Sequence, residues 1–330
     1  MAGWQTMSEN RINRSEFVGK YGAYIIVVIL LVVGAFVSDK FFSAMNIMNI
    51  LESVAFLGIL AAGMSLVTYA GQSVDLSGPS VIAVAGFVSI MTLGAGLVVS
   101  IIAALAVGAA IGLLNGFVIG KFRTNTVVWT LAVTFVATGL IRVIFGSTNI
   151  YPNTQYDVSG FEAISRTKLF GIVPVSVVIM VSLLIVLHII VSRSKYGAKL
   201  KMVGSAESAA RFTGINVTRV ICSTFIISSV CAALTGVFIA SLSKSAAYSY
   251  GTGYDFKAIT AIVLSGVLLD GGKGSILGVL GGVLTIGLLN NILTLLGVNS
   301  FLQDVVVGAV FILVVWITSF SAKKMEEKYA

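Results

Sequence analysis

The chain has 330 residues, of which 57% are apolar and only 10% are charged, and its formal net charge is +8. Charged residues normally make up about a quarter of a soluble protein, so this composition excludes a soluble globular protein and indicates an integral membrane protein. No stretch outside the apolar runs is long enough to build a soluble core, so we expect a single transmembrane domain over residues 1–330.

Ten apolar runs follow one another, and most have the roughly 17 to 25 residues that a membrane-spanning helix needs. They cover residues 21–37, 50–70, 79–94, 97–120, 126–146, 171–191, 220–242, 258–270, 275–295 and 304–320. The first follows basic residues, as in a signal peptide, but no small-residue cleavage site follows it, so we expect an uncleaved helix. The eighth is short, which predicts a tilted or interrupted helix, or one that begins earlier, near Tyr254.

The basic residues divide unevenly between the two sides of these spans. If the N-terminus is cytoplasmic, fifteen Lys and Arg residues lie in inside segments, five lie in outside segments, and Arg142 lies within a span. Because cytoplasmic segments carry an excess of basic residues, this division predicts that both termini are cytoplasmic. It also explains the net positive charge, so the composition does not require a nucleic-acid partner.

The sequence IGLLNG at residues 111–116 recurs as IGLLNN at residues 286–291, once in the fourth span and once in the ninth. In the orientation above, these two spans run in opposite directions. A six-residue match could arise by chance in a chain rich in Leu and Gly, but the same offset pairs spans two to five with spans seven to ten. The sequence therefore predicts an inverted repeat, which transporters use to build a central pathway.

Several polar side chains lie inside the apolar spans. The amides of Asn115, Asn290 and Asn291 must find partners, either across a helix interface or along a wet pathway. Three hydroxyls recur at intervals of four on one face of span five and allow the same two interpretations: Thr130, Thr134 and Thr138. Such groups suit a neutral, hydroxyl-rich solute better than an ion.

Two four-residue patterns, NILE at 49–52 and SFLQ at 300–303, have the form of capping boxes. They predict helix starts at these positions. We therefore expect Glu52 and Asp304 to stabilise helix N-termini rather than to carry protons.

The sequence shows no set of catalytic or metal-binding residues. The run DGGKGS at 270–275 fails the phosphate-loop pattern and predicts a tight turn, so no nucleotide site is expected in this chain.

His188 is the only histidine and has no Cys or carboxylate at ligand spacing, so we expect it at the membrane interface. Arg142 is expected to extend to the lipid headgroups rather than to line a pathway. Cys222 and Cys231 fall on opposite faces of one helix and are not expected to form a disulfide.

Residues 192–219 form the longest and most basic of the predicted cytoplasmic segments. Within it we expect a short helix over 206–212, with Ser205 as its N-cap, Glu207 in its first turn and Gly214 just after its end. So short a helix is unstable alone in water and must be held against something. Three of its side chains would form a surface suited to a groove on a partner protein: Ala209, Ala210 and Phe212. The alternative, a helix lying on the lipid surface, would have few apolar residues for binding.

The segment GSAESAARFTGINV at 204–217 resembles the cytoplasmic loop of permease subunits of bacterial ABC-type sugar importers, the ribose and xylose branch, where it docks the ATP-binding subunit. Three further segments resemble that family in order and spacing, at residues 112–132, 251–282 and 287–298. The resemblance implies an all-α permease with ten spans in the bacterial cytoplasmic membrane. It also implies an ATP-binding partner with two nucleotide-binding modules that holds ATP and Mg²⁺, a periplasmic or lipid-anchored sugar-binding protein, and a second permease subunit.

The chain departs from the family pattern in two places. Residues 71–80 read GQSVDLSGPS where the family usually has G-G-I-D-L-S-x-G-S, which leaves the substrate open, and Ser205 stands where the family usually has Asn. The resemblance and the buried polar residues together predict a translocation pathway formed by Gln72, Asp75, Ser77, Asn115, Thr130, Thr134, Asn290 and Asn291. The resemblance also predicts that the surface coupling the permease to the ATPase is formed by Gly204, Glu207, Ala209, Ala210, Arg211, Phe212, Gly214 and Ile215.

The leading hypothesis is therefore a permease subunit, not itself an enzyme, for a monosaccharide or related polyol. A permease for branched-chain amino acids or nucleosides is an alternative within the same class. An ion-coupled secondary transporter would need carboxylates inside its spans, and most of the 13 acidic residues lie in loops or at span ends. A membrane enzyme is the weakest alternative, because no catalytic set is present.

Overall fold

The computed structural model describes residues 14–153, 155 and 158–329, with side-chain environments described between residues 22 and 316. The helices in this part of the chain are α1 (Arg14–Val37), α2 (Ala44–Tyr69), α3 (Gly78–Met91), α4 (Leu97–Phe122), α5 (Thr126–Phe145), α6 (Ser159–Arg166), α7 (Val175–Arg193), α8 (Lys195–Ser205), α9 (Glu207–Phe212), α10 (Val217–Ser243), α11 (Tyr254–Leu264), α12 (Val279–Leu295) and α13 (Ser300–Tyr329). A two-residue antiparallel pair, β1 (Lys168–Leu169) and β2 (Val173–Pro174), precedes α7.

The predicted all-α membrane architecture is confirmed, because each of the ten apolar runs coincides with a helix. Five helices are long and apolar enough to cross a membrane, and four shorter apolar segments lie in α1, α3, α12 and α13. The eighth run forms α11, which begins at Tyr254, as the earlier-start alternative predicted. Hydropathy gave no sign of α6, α8 or the short strand pair, since these elements do not cross the bundle as apolar runs.

Helices α2 and α10 form the centre of the bundle and are the most buried of the five long spans. They cross antiparallel, with Gly63 against Cys231 and the rings of Phe56 and Phe238 stacked at 5.8 Å between centroids. The repeat from Ile111 to Ile286 has an offset of 175 residues. At this offset Gly63 corresponds to Phe238, and Phe56 corresponds to Cys231. The Gly63–Cys231 and Phe56–Phe238 contacts are therefore symmetry counterparts, so the central helix pair obeys the symmetry that the sequence repeat predicts.

The rest of the repeat follows the same symmetry. Helix α4 packs on α10, and its counterpart α12 packs on α2. Helix α4 runs antiparallel to α10, since its successive glycines at 108, 112, 116 and 120 face residues progressively nearer to the start of α10. Asn291, late in α12, bonds to Asn46, early in α2, so α12 is antiparallel to α2. Because α2 and α10 are themselves antiparallel, α4 and α12 point in opposite directions, and the repeat is inverted.

The two ends of the bundle are defined here by the short helices that lie there. At the α9 end, α10 begins next to α9 and Arg123, just after α4, bonds to Glu207. At the α6 end, α10 finishes against α6, where Ser165 Oγ donates to the carbonyl of Phe238. Glu162 of α6 pairs there with Lys244 at 2.6 Å.

Two spans are only half helical inside the bundle. After α2 the chain turns back without helix over residues 70–77, and α3 then runs to the α6 end, where Ser100 Oγ donates to the carbonyl of Ser89. Its counterpart α11 begins beside the start of α3, where Gly251 approaches the carbonyl of Pro79, and runs towards the α9 end. Non-helical backbone at this depth needs side-chain partners, because lipid offers none.

Three predicted helix starts are wrong in detail. Helix α2 begins earlier than the capping box at 49–52, because Ser43 Oγ accepts the amide of Asn46 instead. Helix α13 does begin at Ser300, but its cap is Asn299, whose Oδ1 accepts the amide of Leu302. Ser205 is the last residue of α8, and Ala206 stands at the N-cap of α9 without a side-chain bond.

Both cysteines lie in α10, and the histidine lies in α7. Cys222 and Cys231 are both free, as their opposite faces on α10 predicted. No group of three His, Cys, Asp or Glu side chains able to hold a metal lies in the described residues. His188 is half-buried within α7, and its predicted place at the membrane interface stays a prediction.

Candidate functional site

The interrupted segment at residues 70–77 is held by a buried carboxylate. Asp75 Oδ1 accepts the backbone amide of Ser77 at 2.9 Å and its hydroxyl at 2.6 Å, the local pattern by which Asp stabilises a tight turn. Asp75 Oδ2 accepts the hydroxyl of Ser228 at 3.0 Å. Because Ser228 lies near the middle of α10, Asp75 fixes the start of α3 deep inside the bundle.

Two more side chains extend this arrangement to α4 and α5. Asn115 Nδ2 donates to Ser77 Oγ at 3.0 Å, and the indole N–H of Trp129 donates to Asn115 Oδ1 at 3.0 Å. We name Asp75, Ser77, Asn115, Trp129 and Ser228 the Asp75 network. It ties α4, α5 and α10 to one non-helical segment, and its members support one another because buried hydrogen bonds polarise their neighbours.

The threonines of α5 hold the backbone of the same segment. Thr130 Oγ1 accepts the amide of Leu76 at 3.0 Å, and Thr134 Oγ1 donates to the carbonyl of Leu76 at 2.7 Å. Thr126 Oγ1 donates to Gln72 Oε1 at 3.4 Å. These hydroxyls replace the partners that the unwound backbone lacks, which explains why α5 carries a polar stripe in an apolar helix.

These contacts bring together six of the eight predicted pathway residues: Gln72, Asp75, Ser77, Asn115, Thr130 and Thr134. Asn290 and Asn291 lie apart from them, on α12. Asn291 exchanges two hydrogen bonds with Asn46 of α2, at 2.7 and 3.0 Å. This contact agrees with the first of the two interpretations of these amides, a partner across a helix interface. Asn290 Oδ1 is buried without a hydrogen-bond partner among the described residues. The pathway roles of all eight remain predictions.

Sequence reasoning missed Ser228 and Trp129, although each leaves a signal. Ser228 and Ser229 interrupt the apolar run of α10, and a hydroxyl in such a run needs a partner. Trp129 carries an indole N–H that finds an acceptor when it is buried. Neither signal identifies the partner, because Asp75 and Ser228 are 153 residues apart in the chain.

A second group of predicted residues lies around α8 and α9. Helix α8 is anchored to α10 by Tyr196, whose hydroxyl lies 2.7 Å from Ser223 Oγ, and burial raises the pKa of this tyrosine. Gly214 has φ of +79°, and the amide of Ile215 donates to the carbonyl of Ala210, which together form the expected left-handed helix end. The loop therefore forms a folded two-helix element rather than a single isolated helix.

The exposed surface of α9 differs from the predicted one. Ala210 is fully buried because α9 packs on α8 and on the start of α10, so it cannot reach a partner protein in this conformation. Ala209 is exposed, and the Phe212 side chain is 92% exposed. Arg211 pairs with Glu207 of its own helix at 2.8 Å, and Glu207 also pairs with Arg123 at 3.1 Å. Phe212 is thus the one large apolar side chain that α9 presents outwards.

The end of α8 meets both interrupted spans. The carbonyl of Tyr69, at the end of α2, accepts the amide of Gly272, in the turn after α11. Gly204 of α8 packs directly on this pair, where an added Cβ would collide with the Tyr69 carbonyl. We name Tyr69, Gly71, Gly204, Gly271 and Gly272 the glycine junction. Its backbones approach so closely that larger residues would separate the three segments.

Apolar helices in an inverted repeat, with half-helical spans and a polar network between them, define a membrane permease. The profile of the family described as "Branched-chain amino acid transport system / permease component" matches residues 46–315. The chain belongs to this family.

Several similar curated proteins are sugar permeases by name, which confirms the resemblance seen in the sequence. The ribose import permease protein RbsC of Escherichia coli K12 is 34% identical over 319 residues, covering 94% of this chain and 97% of that protein. RbsC of Bacillus subtilis 168 is also 34% identical, over 310 residues, covering 93% and 95%. The L-arabinose transport system permease protein AraH of Escherichia coli K12 is 30% identical over 312 residues, covering 92% of both chains. No solved structure matches the chain significantly.

Proposed function

We propose that the chain is the membrane-spanning subunit of an ATP-driven importer for a monosaccharide, either a pentose or a hexose, or for a related polyol. The observation that carries this proposal is the 34% identity to a ribose import permease along nearly the whole of both chains. The groups around the interrupted segment add support. Apart from Asp75 they are hydroxyls, amides and an indole, which suit a neutral solute rich in hydroxyls.

The proposal includes the partners that such a subunit needs. A separate subunit with tandem ATPase modules would bind ATP and Mg²⁺, since this chain lacks a phosphate-loop pattern. A periplasmic or lipid-anchored sugar-binding protein would deliver the solute, and a second permease subunit, identical or related, would complete the pathway within the bilayer. The α9 end would face the bacterial cytoplasm together with both termini, because the basic residues concentrate on that side.

Coupling to the ATPase would use the outward face of α9. Phe212 would enter a pocket on the ATPase, with Ala209 allowing close approach beside it. Movement of α9 would reach the bundle through α8, whose Gly204 packs into the glycine junction. Under this proposal Ala210 holds α9 to α8 and α10 rather than contacting the partner.

The test is solute uptake by cells that lack their own ribose and arabinose importers and that produce this chain with its cognate ATPase and binding protein. We expect ATP-dependent uptake of a labelled pentose or hexose and no uptake of labelled leucine. The family description makes a branched-chain amino-acid permease the second candidate. Uptake of leucine with no uptake of any sugar or polyol would contradict the proposal and favour that candidate.

A further inference from the structure

A small cavity of about 210 Å³ lies where the starts of the two half-helices α3 and α11 meet. Most of the side chains in its wall carry polar groups, among them Ser80, Thr134, Thr138, Arg142, Tyr248 and Asp255. None of the described residues that line it is Val, Leu, Ile or Met. Arg142 and Thr252 are exposed, so the cavity is half open, and a cavity with this polar wall is suited to a polar guest.

A cation and a carboxylate line this cavity without neutralising each other. The guanidinium of Arg142 lies 4.3 Å from the ring centroid of Tyr248, as in a cation–π contact. Within the described part of the chain, neither Arg142 nor Asp255 forms an ion pair. Thr138 likewise has no hydrogen-bond partner in that part. The cavity therefore combines the guanidinium donor of Arg142, the carboxylate acceptor of Asp255 and the free hydroxyl of Thr138 around an open volume.

The cavity is continuous with the interrupted segment. Thr134 lines the cavity and also donates to the carbonyl of Leu76, next to Asp75. One turn further along α5, Thr138 and then Arg142 continue towards the α6 end. A solute in the cavity would thus stand directly before the segment that the Asp75 network holds.

The geometry points to a transit site for a neutral, polyhydroxylated solute in this cavity, with Asp255 accepting and Arg142 donating hydrogen bonds to its hydroxyls. The Tyr248 ring would pack on the apolar face of a sugar ring, and Thr138 would bind one further hydroxyl. This inference rests on the proposed function and names the residues that would contact the solute. It reverses the sequence expectation that Arg142 extends to the lipid headgroups.

The wall chemistry also separates solute classes. A free anion would meet Asp255, and a free cation would meet Arg142, so a neutral guest is favoured. A zwitterionic amino acid would satisfy both charges, but among the described wall residues a branched aliphatic side chain would find only Pro79 as an aliphatic partner. Hydroxyls distributed around a ring match this wall better.

The test compares uptake kinetics of the assembled transporter carrying Asp255→Asn, Arg142→Lys or Thr138→Val. Because the binding protein captures the sugar, a weaker transit site should lower the uptake rate at saturating sugar rather than raise KM. Losing a hydrogen bond to a charged group should lower this rate about tenfold to a hundredfold, and losing the Thr138 hydroxyl should lower it about threefold. Two neighbouring substitutions on exposed side chains serve as controls and should leave the uptake rate unchanged: Val143→Ala and Phe256→Leu. The amount of each variant that co-purifies with the ATPase checks folding and assembly.

A binding readout supplements the kinetics. In a chain with Cys222 and Cys231 replaced by Ala, a Thr138→Cys variant should react with a small polar thiol reagent, and the transported sugar should slow this reaction. If the unmodified protein imports a sugar but the three variants match the controls and the sugar gives no protection, the transit site is refuted while the proposed function stands. If it imports leucine and no sugar, the proposed function fails first, and the sugar site fails with it.

Discussion

Replacing Gly116 by Ala tests whether α4 and α10 are held at the close distance that the glycines of α4 allow. A Cβ on Gly116 would lie 2.5 Å from Cα of Cys222 and 3.2 Å from its backbone N and C. All three atoms are backbone, so no rotamer change relieves the contact. Gly139 on α5 is the matched control, because a Cβ there meets nothing within 4 Å.

The magnitude follows from two opposing effects. Ala is favoured over Gly within a helix by about 0.8–1.0 kcal/mol, and this gain applies to both substitutions. Overpacking a close contact costs about 1–3 kcal/mol, and only Gly116→Ala incurs this cost. We therefore expect Gly139→Ala to raise the free energy of unfolding by about 1 kcal/mol, and Gly116→Ala to leave the protein about 1–3 kcal/mol less stable than Gly139→Ala.

The measurement is SDS-induced unfolding of the purified protein in mixed micelles, followed by far-UV circular dichroism. The two variants differ only in where one methyl group is placed, so their difference isolates the helix contact from helix propensity. Equal unfolding free energies for the two variants would show that α4 and α10 are not packed at this distance. That result would remove the basis for the close α4–α10 contact in the inverted repeat.

Three further predictions address the candidate site and the proposed orientation. Asn115→Leu removes the link between Trp129 and Ser77 and should lower the sugar uptake rate at least tenfold. Association with the ATPase, measured by co-purification, should be kept. Normal uptake would show that the Asp75 network is not needed for transport. Phe212→Ala should leave thermal stability unchanged, because the side chain is 92% exposed, but should weaken ATPase binding at least tenfold; unchanged affinity in a titration would refute its docking role. Single cysteines at Ser159 and Ala330 should be labelled from opposite sides of the membrane, although Ala330 lies outside the described residues; labelling from one side would refute the predicted orientation.

The spans were predictable because hydropathy is a local property. Each apolar run needs only its own residues to form a helix in lipid, where every backbone group must bond within its segment. The repeat was predictable for a related reason, since IGLLNG and IGLLNN carry the same pattern into equivalent positions of α4 and α12. Even the start of α11 at Tyr254 was among the alternatives, because the eighth apolar run is too short to span a membrane by itself.

Partners across the bundle could not be predicted in the same way. The bond between Asp75 and Ser228 depends on how α2 and α10 cross, which no local pattern encodes. Ala210 was expected on the outer face of α9, but its burial depends on α8, and the sequence of α8 is too polar to be recognised as a packed helix. A substitution such as Ala210→Glu would therefore disturb the fold of the loop as well as any docking surface.

The glycine junction gives the proposed coupling a physical route. Gly204 packs against the carbonyl of Tyr69, which begins the segment leading to α3, and that carbonyl also bonds to Gly272, in the turn that follows α11. The two half-helices belong to opposite copies of the repeat and run towards opposite ends of the bundle. Because backbone atoms are in contact here, with no flexible side chain between them, a displacement of α8 must move both segments or break the contact. One movement at the α9 end would then act on both halves of the pathway at once, as alternating access through an inverted repeat requires.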